Sequence, residues 1–216
     1  MRIALFGGTF DPPHLGHVHI AAAAADRLRL DRVLFAPTGR QPLKAVAPLA
    51  SFADRLAMTQ LAVAMDSRFA ASDIDAPHPQ GAPNFTVDTL ATLRQQHPEA
   101  DSIFHIVGAD SFLTLPLWRE PLRLLALAEW IIVTRPGSEI DEDVLHSVLN
   151  KALGPRNPTP EQLSRVHLLT GIAEDVSATS LRSRIQAGDD VSSLLPPGVP
   201  EYIAAHHLYR SATGLS

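Results

Sequence analysis

The stretch MRIALFGGTFDPPHLGH, residues 1–17, predicts a strand, a glycine turn and the beginning of a helix. Residues 3–6 form an apolar run typical of a buried strand. The two glycines after it carry no Cβ, so the backbone can pass close to a ligand. We expect the helix to begin near Pro13, where the missing N–H of proline is tolerated. A strand, such a turn and a helix N-terminus together form an anion-binding site.

Two histidines follow the glycines in the same stretch. His14 and His17 lie three residues apart, so that on a helix their side chains share one face, and Gly16 leaves that face open. The pair could also bind a metal, but no H-E-x-x-H pattern occurs and no third ligand has a convincing spacing. We therefore predict a phosphate site and no metal site in the protein itself.

Strand-like and helix-like segments alternate along the chain. The predicted strands after the first are residues 32–36, 69–74, 102–107, 130–134 and 166–169, and the predicted helices are residues 15–30, 51–65, 87–96, 121–128, 141–152 and 178–187. This alternation implies right-handed βαβ units and a parallel sheet. We predict an α/β fold in which residues 1–216 form one domain, a single Rossmann-like doubly wound parallel sheet with helices on both faces. Three proline-rich stretches are predicted to be loops: residues 37–48, 77–83 and 155–160.

The composition excludes several classes of protein. With 18 basic and 23 acidic residues the chain carries a net charge of −5, which is unsuited to coating nucleic acid or an anionic membrane. It has no cysteine, so disulfides and thiolate chemistry are excluded. The apolar run before Gly7 is too short for a signal peptide, and no run approaches the roughly 20 residues of a membrane helix. We expect a cytoplasmic protein that binds phosphates only at a small local site.

GGTFDPPHLGH at residues 7–17 resembles the signature of the adenylyltransferase and cytidylyltransferase superfamily, in the form typical of bacterial nicotinate-mononucleotide adenylyltransferases. Further segments that resemble this family are FAP at 35–37 with PLK at 42–44, NFTVDTL at 84–90, IVGADS at 106–111 with Trp118, VSATSLR at 176–182, and LPPGV at 195–199 with YI at 202–203. The resemblance implies transfer of AMP from ATP to nicotinate mononucleotide, giving nicotinate adenine dinucleotide and pyrophosphate in NAD biosynthesis. Residues 171–216 would carry a second phosphate-binding motif within the same nucleotidyltransferase domain.

The resemblance also implies roles for individual residues. The catalytic residues would be His14, His17, Lys44 and Arg182. ATP would be bound by Gly7, Gly8, Thr9, Phe10, His14, His17, Gly108, Asp110, Ser177, Thr179 and Arg182. Nicotinate mononucleotide would be bound by Gly8, Lys44, Thr86, Trp118 and Arg119. Mg²⁺ would arrive on the ATP phosphates.

Two segments depart from the family pattern. Residues 41–44 read QPLK, without the histidine that precedes the lysine in the family, and Phe85 replaces a tyrosine. We therefore expect no substrate contact from a histidine side chain before Lys44 and none from a tyrosine hydroxyl at position 85. Lys44 and Thr86 are retained.

Some of these residues also have purely structural interpretations. Ser177 can be an ordinary N-cap with Arg182 on the helix surface, although the first motif favours a second phosphate site there. Trp118 can pack in the core instead of stacking on the pyridine ring. Asp110 can cap a helix with Ser111 instead of binding ribose hydroxyls.

Two other functions remain open at this point. A phosphopantetheine adenylyltransferase belongs to the same superfamily, but that family is usually shorter and lacks the G-x-D-S…W block. A catalytically inactive, nucleotide-binding regulatory protein could share the fold. We would expect such a protein to have lost His14 or His17, and both are present.

Overall fold

A parallel β-sheet forms the centre of the computed structural model, which describes residues 1–43, 46–134, 140–154, 157–172 and 176–210. Its strands in these residues are β1 (Arg2–Gly8), β2 (Arg32–Pro37), β3 (Phe69–Ala71), β4 (Ser102–Gly108), β5 (Glu129–Val133) and β6 (Val166–Leu169). They are arranged in the order β3-β2-β1-β4-β5-β6, and every neighbouring pair is parallel. The predicted doubly wound sheet is confirmed. Because the order reverses between β1 and β4, a ligand crevice is expected at their carboxyl ends.

Helices connect the strands. The α-helices within the described residues are α1 (Leu15–Leu28), α2 (Phe52–Val63), α3 (Thr86–Gln96), α4 (Ala109–Leu113), α5 (Pro121–Leu127), α6 (Glu142–Leu153), α7 (Pro160–Ser164), α8 (Ala178–Ala187) and α9 (Val199–Ala205), with 3₁₀ turns at Leu115–Leu117 and Ser192–Leu194. The six helices predicted from sequence are present with small shifts at their ends. The short helices α4, α7 and α9 were not predicted, because five to seven residues contain too few turns for a clear apolar period. None of the described helices is long and apolar enough to cross a membrane.

Some ends differ from the sequence-based prediction. The first helix begins at Leu15, as predicted, with His14 in extended backbone angles as its N-cap just after Pro13, but it ends at Leu28, two residues earlier than predicted. The third strand stops at Ala71, three residues earlier than predicted. Two other ends follow local rules, since the Ser51 hydroxyl accepts from the Asp54 N–H and Gly188 closes α8 at φ +86°.

The sheet is covered on both faces. Along β1, the alternate side chains Ile3 and Leu5 pack on one face, mainly against α3 and α6, while Ala4 and Phe6 pack on the other face against α1. A third apolar cluster joins α2 to the C-terminal helices, with Met58, Leu181 and Ile203 among its members. This third cluster holds α8 beside the turn that follows β1.

We expect Leu90→Ala to lower the free energy of unfolding by about 2–5 kcal/mol. Leu90 is fully buried, and α3 packs through it against the core. Leu122→Ala is the matched control, because Leu122 of α5 is 57% exposed and such changes usually stay within about 0.5 kcal/mol. Urea unfolding followed by circular dichroism measures both variants. Equal losses would contradict the position of Leu90 in the core.

Candidate active site

The turn after β1 is built on glycines and on one buried aromatic ring. A Cβ on Gly8 would lie 3.0 Å from the tip of the Phe10 ring, so any other residue there would have to displace this buried ring by a few tenths of an ångström. Phe10 adopts φ +48° and is 2% exposed, with its ring packed against Phe35 and, at 4.9 Å between centroids, against His17. The Phe10 side chain, predicted among the ATP-binding residues, is therefore part of the core. Only its backbone is available to a ligand.

The two histidines of the motif stack on each other. Their ring centroids are 3.7 Å apart, and the backbone N–H of His14 donates to Nδ1 of His17 over 3.2 Å. Because Nδ1 accepts this hydrogen bond, the proton of a neutral His17 ring is on Nε2. His14 is 5% exposed, whereas His17 is only partly buried. The fold thus makes His17 an N–H donor at the start of α1.

Asp11 connects the turn to two distant segments. Its carboxylate is 2% exposed and accepts hydrogen bonds from the N–H groups of Leu49 and Ala50, at 2.8 and 3.1 Å, and from the Tyr209 hydroxyl at 2.8 Å. Burial beside this carboxylate raises the pKa of Tyr209 far above its usual value. Asp11 stands in the sequence as one residue of the motif after β1, and this role was not predicted.

Arg182 of α8 lies against the same turn. Its Nη1 donates to the backbone oxygen of Asp11 over 2.8 Å, and its Nη2 donates to the Thr179 hydroxyl over 3.2 Å. The Ser177 hydroxyl accepts from the Ser180 N–H, so the N-cap interpretation of Ser177 is confirmed. The structure therefore brings the second motif next to the first, although 171 positions separate Arg182 from Asp11.

Arg55 is a second buried charge that sequence analysis missed. It is 2% exposed, and its two terminal nitrogens donate to the backbone oxygens of Thr9 and Thr38, at 2.7 and 2.9 Å. Burial lowers the pKa of Arg55, while the nearby carboxylate of Asp11 acts in the opposite direction. Arg55 precedes Met58 and Ala62 on the buried face of α2, and an arginine on an apolar helix face was the available indication.

A cavity of about 510 Å³ opens beside this turn, at the carboxyl ends of β1 and β4. Of the predicted site residues, those that line it are Gly7, Gly8, Thr9, Thr86, Gly108, Trp118 and Arg119. His14, His17, Asp110 and Arg182 are not part of its lining. The described residues predicted for the acceptor thus line a cavity that adjoins the turn after β1.

Thr86, Trp118 and Arg119 form one side of the cavity. Thr86 is the first residue of α3, whose N-cap Phe85 makes no side-chain capping bond. The Trp118 indole N–H donates to the Thr114 hydroxyl over 3.0 Å, and its ring packs edge to face on Trp130 while also lining the cavity. The core-packing interpretation of Trp118 is therefore confirmed, and stacking on a pyridine ring stays a prediction. The Arg119 guanidinium lies over the Phe85 ring at 4.7 Å.

Two buried titratable groups in the cavity were not predicted. Asp75 is 8% exposed, accepts from the Thr89 hydroxyl over 2.8 Å, and has its pKa raised by burial. His105 is 4% exposed, and burial lowers its pKa to about 4. His105 interrupts the apolar run of β4, which was the available indication; Asp75 follows a short strand without a recognisable pattern.

The remaining predicted residues are placed as follows. Asp110 is exposed in α4, and its interpretation as a helix cap is wrong, since Gly108 occupies the N-cap position. Lys44 lies outside the described residues. Within the ranges that the structure describes, no group of three or more His, Cys, Asp or Glu side chains could hold a metal ion.

Comparisons with known proteins agree with this architecture. Residues 5–184 match the family model described as Cytidylyltransferase-like. A solved structure of Plasmodium falciparum nicotinic acid mononucleotide adenylyltransferase, complexed with NaAD, has a similar fold, with a TM-score of 0.73 and 18% identity over 96% of this chain and 97% of that one.

Curated relatives are similar over almost their full length. A probable nicotinate-nucleotide adenylyltransferase of Neisseria meningitidis is 41% identical over 211 residues, which cover 97% of this chain and 98% of the relative. One of Thermomicrobium roseum is 37% identical over 214 residues, covering 99% and 94%. The chain therefore belongs to the nicotinate-nucleotide adenylyltransferase family, the first of the two families that its sequence left open.

Proposed function

We propose that this chain transfers the AMP moiety of ATP to nicotinate mononucleotide, forming nicotinate adenine dinucleotide and releasing pyrophosphate. The observation that carries the proposal is the adjacency of two different environments. His14, His17 and Arg182 converge on the turn after β1, and a cavity lined by Thr86 and Trp118 opens beside it. A donor triphosphate needs the hydrogen-bond donors and the positive charge at the turn. An acceptor with an aromatic ring needs the cavity.

The reaction requires little proton transfer from the protein. A phosphate monoester has a second pKa near 6, so the 5′-phosphate of the acceptor is an anion at neutral pH. One of its oxygens forms a bond to the α-phosphorus of ATP, and the bond from that phosphorus to the pyrophosphate oxygen breaks. The barrier comes from bringing two polyanions together, so that positioning and positive charge dominate catalysis.

The first motif and α8 are proposed to hold the ATP phosphates. The Nε2–H of His17 donates to a phosphate oxygen, and the His14 ring lies against it. Ser177 and Thr179 begin α8, where backbone N–H groups favour an anion. Arg182 adds a full charge one turn further along. Gly7, Gly8, Thr9 and Phe10 contribute backbone close to the nucleotide, Gly108 and Asp110 face its ribose, and Lys44 acts as an ammonium point charge.

Mg²⁺ is proposed to be held by the ATP phosphates and not by a protein cage. The described part of the chain contains no group of three or more His, Cys, Asp or Glu side chains that could hold a metal ion. When bound, the ion neutralises part of the phosphate charge. The histidines and Arg182 then orient the phosphate chain so that pyrophosphate leaves in line with the attacking oxygen.

The cavity is proposed to bind the pyridine end of the acceptor. Trp118 stacks on the pyridine ring, and the Thr86 hydroxyl and the N–H groups at the start of α3 donate to its carboxylate. Gly8 allows the acceptor close to the backbone, and Arg119 contributes positive charge at the cavity edge.

The proposed function is tested by pyrophosphate release from ATP with three acceptors: nicotinate mononucleotide, nicotinamide mononucleotide and 4′-phosphopantetheine. We expect the nicotinate compound to have the highest kcat/KM, by on the order of 10²-fold over the amide. The reason is that each mismatched, partly buried donor costs roughly 1–3 kcal/mol when an amide replaces the carboxylate. Thr86→Ala should reduce this preference.

Several outcomes would contradict this assignment. Turnover of 4′-phosphopantetheine alone would reassign the acceptor, and release with none of the three would favour the regulatory alternative. Equal use of the two mononucleotides would exclude a preference for the acid. A preference unchanged in Thr86→Ala would assign carboxylate recognition to other groups in the cavity.

We expect His17→Ala to lower kcat far more than it lowers thermal stability. Losing one donor to charge that develops in the transition state typically costs about 10²–10³ in kcat. Steady-state kinetics at saturating ATP and nicotinate mononucleotide measure the effect. His19→Ala is the matched control, because His19 is exposed on the same helix. A near-normal kcat for His17→Ala would remove this residue from the chemistry.

Arg182→Ala is expected to lower kcat/KM for ATP by about 10- to 100-fold, since a charge-assisted hydrogen bond contributes about 1.5–3 kcal/mol. Arg184→Ala is the control variant on the same helix. Arg184 lies in the last turn of α8, away from the turn after β1, and is 3.8 Å from Asp189. Kinetics and thermal denaturation of both variants distinguish a role of Arg182 in ATP binding from a role in stability alone. An unfolded Arg182→Ala whose folded fraction stays fully active would make Arg182 purely structural.

A further inference from the structure

The chain contains two tyrosines, and the hydroxyl of each donates to a carboxylate that is distant in sequence. Tyr202, on α9, donates to Asp54 in the first turn of α2 over 3.0 Å. Tyr209, in the segment after α9, donates to Asp11 over 2.8 Å, across 198 positions of the chain. The first bond therefore joins α9 to α2, whereas the second reaches the turn after β1.

The backbone after α9 enters the left-handed region twice. His207 has φ +53°, which is typical of a residue that closes a helix, and the N–H of Leu208 donates to the Ile203 oxygen over 3.0 Å in the same cap. Tyr209 has φ +61° and lies beyond this cap. A positive φ is uncommon for a bulky residue and persists only where surrounding contacts hold it. The Tyr209 ring packs in the third apolar cluster and its hydroxyl bonds to Asp11, which are contacts of this kind.

Three donors bond to the Asp11 carboxylate, and none of the three is a cation. Oδ1 accepts from the Ala50 N–H and the Tyr209 hydroxyl, and Oδ2 accepts from the Leu49 N–H. Burial and the charge of Asp11 raise the pKa of Tyr209 far above its usual value, so the hydroxyl remains a donor at neutral pH. Nη1 of Arg182 lies 3.9 Å from Oδ2, beyond hydrogen-bond distance, and donates to the Asp11 backbone oxygen over 2.8 Å. Arg182 therefore lies against Asp11 without a hydrogen bond to its carboxylate.

Loss of the Tyr209 hydroxyl would change which group satisfies this carboxylate. Asp11 is 2% exposed, and a buried charge is costly unless it is paired and hydrogen-bonded. A guanidinium can bind a carboxylate through two parallel hydrogen bonds, which are stronger than those between neutral groups. Because Arg182 is already 3.9 Å away, it is the cation that we expect the carboxylate to attract. A guanidinium paired in this way directs fewer N–H groups at a phosphate.

We propose that Tyr209 is a positioning residue for ATP: its hydroxyl satisfies the Asp11 carboxylate, so that the Arg182 guanidinium stays on the Asp11 backbone oxygen and keeps its remaining N–H groups for the ATP phosphates. This inference rests on the proposed function, because it takes Arg182 as a ligand of ATP. Tyr209 acts through two other residues and does not itself touch the nucleotide. Its effect is therefore expected in ATP binding and not in acceptor binding.

The alternative is that Tyr209 only anchors the segment after α9 to the core. Its ring belongs to the third apolar cluster, and phenylalanine would keep that packing. Loss of an anchor lowers the melting temperature, but it leaves KM for ATP unchanged in the protein that stays folded. Kinetic constants measured well below the melting temperature therefore distinguish positioning from anchoring.

The test compares Tyr209→Phe with Tyr202→Phe, its matched control, in the full chain. Each variant loses one hydroxyl that donates to a carboxylate, so we expect a lower melting temperature for both. In Tyr209→Phe, KM for ATP should rise about 3- to 10-fold, which corresponds to one hydrogen bond. KM for nicotinate mononucleotide should stay near its wild-type value, and kcat should fall less than KM for ATP rises. Tyr202→Phe should leave both KM values unchanged.

A double variant tests whether the effect of Tyr209 passes through Arg182. Once Arg182→Ala has removed the guanidinium, the addition of Tyr209→Phe should raise KM for ATP no further. Arg182→Gln serves as the background if Arg182→Ala does not fold. An equal fold-increase with and without the guanidinium would mean that Tyr209 acts independently of Arg182, and would overturn the inference.

Four other results would also overturn the inference: an unchanged KM for ATP in Tyr209→Phe, a joint rise of both KM values, an equal rise in Tyr202→Phe, or failure of Tyr209→Phe to fold. Failure of the proposed function is recognised separately. Wild-type protein that binds ATP in isothermal titration calorimetry but releases no pyrophosphate with nicotinate mononucleotide would overturn that function. The Kd for ATP in Tyr209→Phe would then test the inference in place of KM.

Discussion

The buried carboxylate of Asp11 is the interaction on which the candidate active site depends. It accepts hydrogen bonds from the segment before α2 through Leu49 and Ala50 and from the C-terminal segment through Tyr209. A buried charge is costly unless it is paired and hydrogen-bonded. These donors, with Arg182 3.9 Å from the carboxylate, meet that requirement. The turn after β1 is therefore tied through one carboxylate to the segment before α2, to α8 and to the C-terminal segment.

This arrangement shows how an acidic protein can place positive charge at one turn. The net charge of the chain is −5, but the turn after β1 has Arg55 beneath it and Arg182 beside it. Arg55 is bonded to two backbone oxygens and is buried, so it holds strand ends and is not available to a ligand. Arg182 and His17 remain partly exposed. The Arg182 guanidinium and the N–H donor of His17 are thus held beside the turn by the fold itself, which is the preorganisation that the proposed role in electrostatic stabilisation requires.

The cavity beside the turn has a different electrostatic character. Burial raises the pKa of Asp75 and lowers that of His105, and both shifts have the same cause, namely that a charge is poorly solvated there. Burial therefore favours the uncharged forms of these two side chains, and it does so only at their positions in the wall. Polar groups that are only partly satisfied cost stability, and they are expected where a fold has been shaped for a ligand and not for maximal stability.

Features that depend on neighbouring residues were predictable before the structure was known. The alternation of strands and helices, the serine cap of α2 and the glycine that ends α8 all follow from periodicity, capping and allowed backbone angles within a few positions. The motif after β1 was also recognisable from residues that are adjacent in the chain. Only the tertiary structure decided that Phe10 lies in the core, that Arg182 meets Asp11, and that His105 lines the cavity. These contacts depend on strand order and on which helices cover each face, because packing brings together residues that are far apart in sequence.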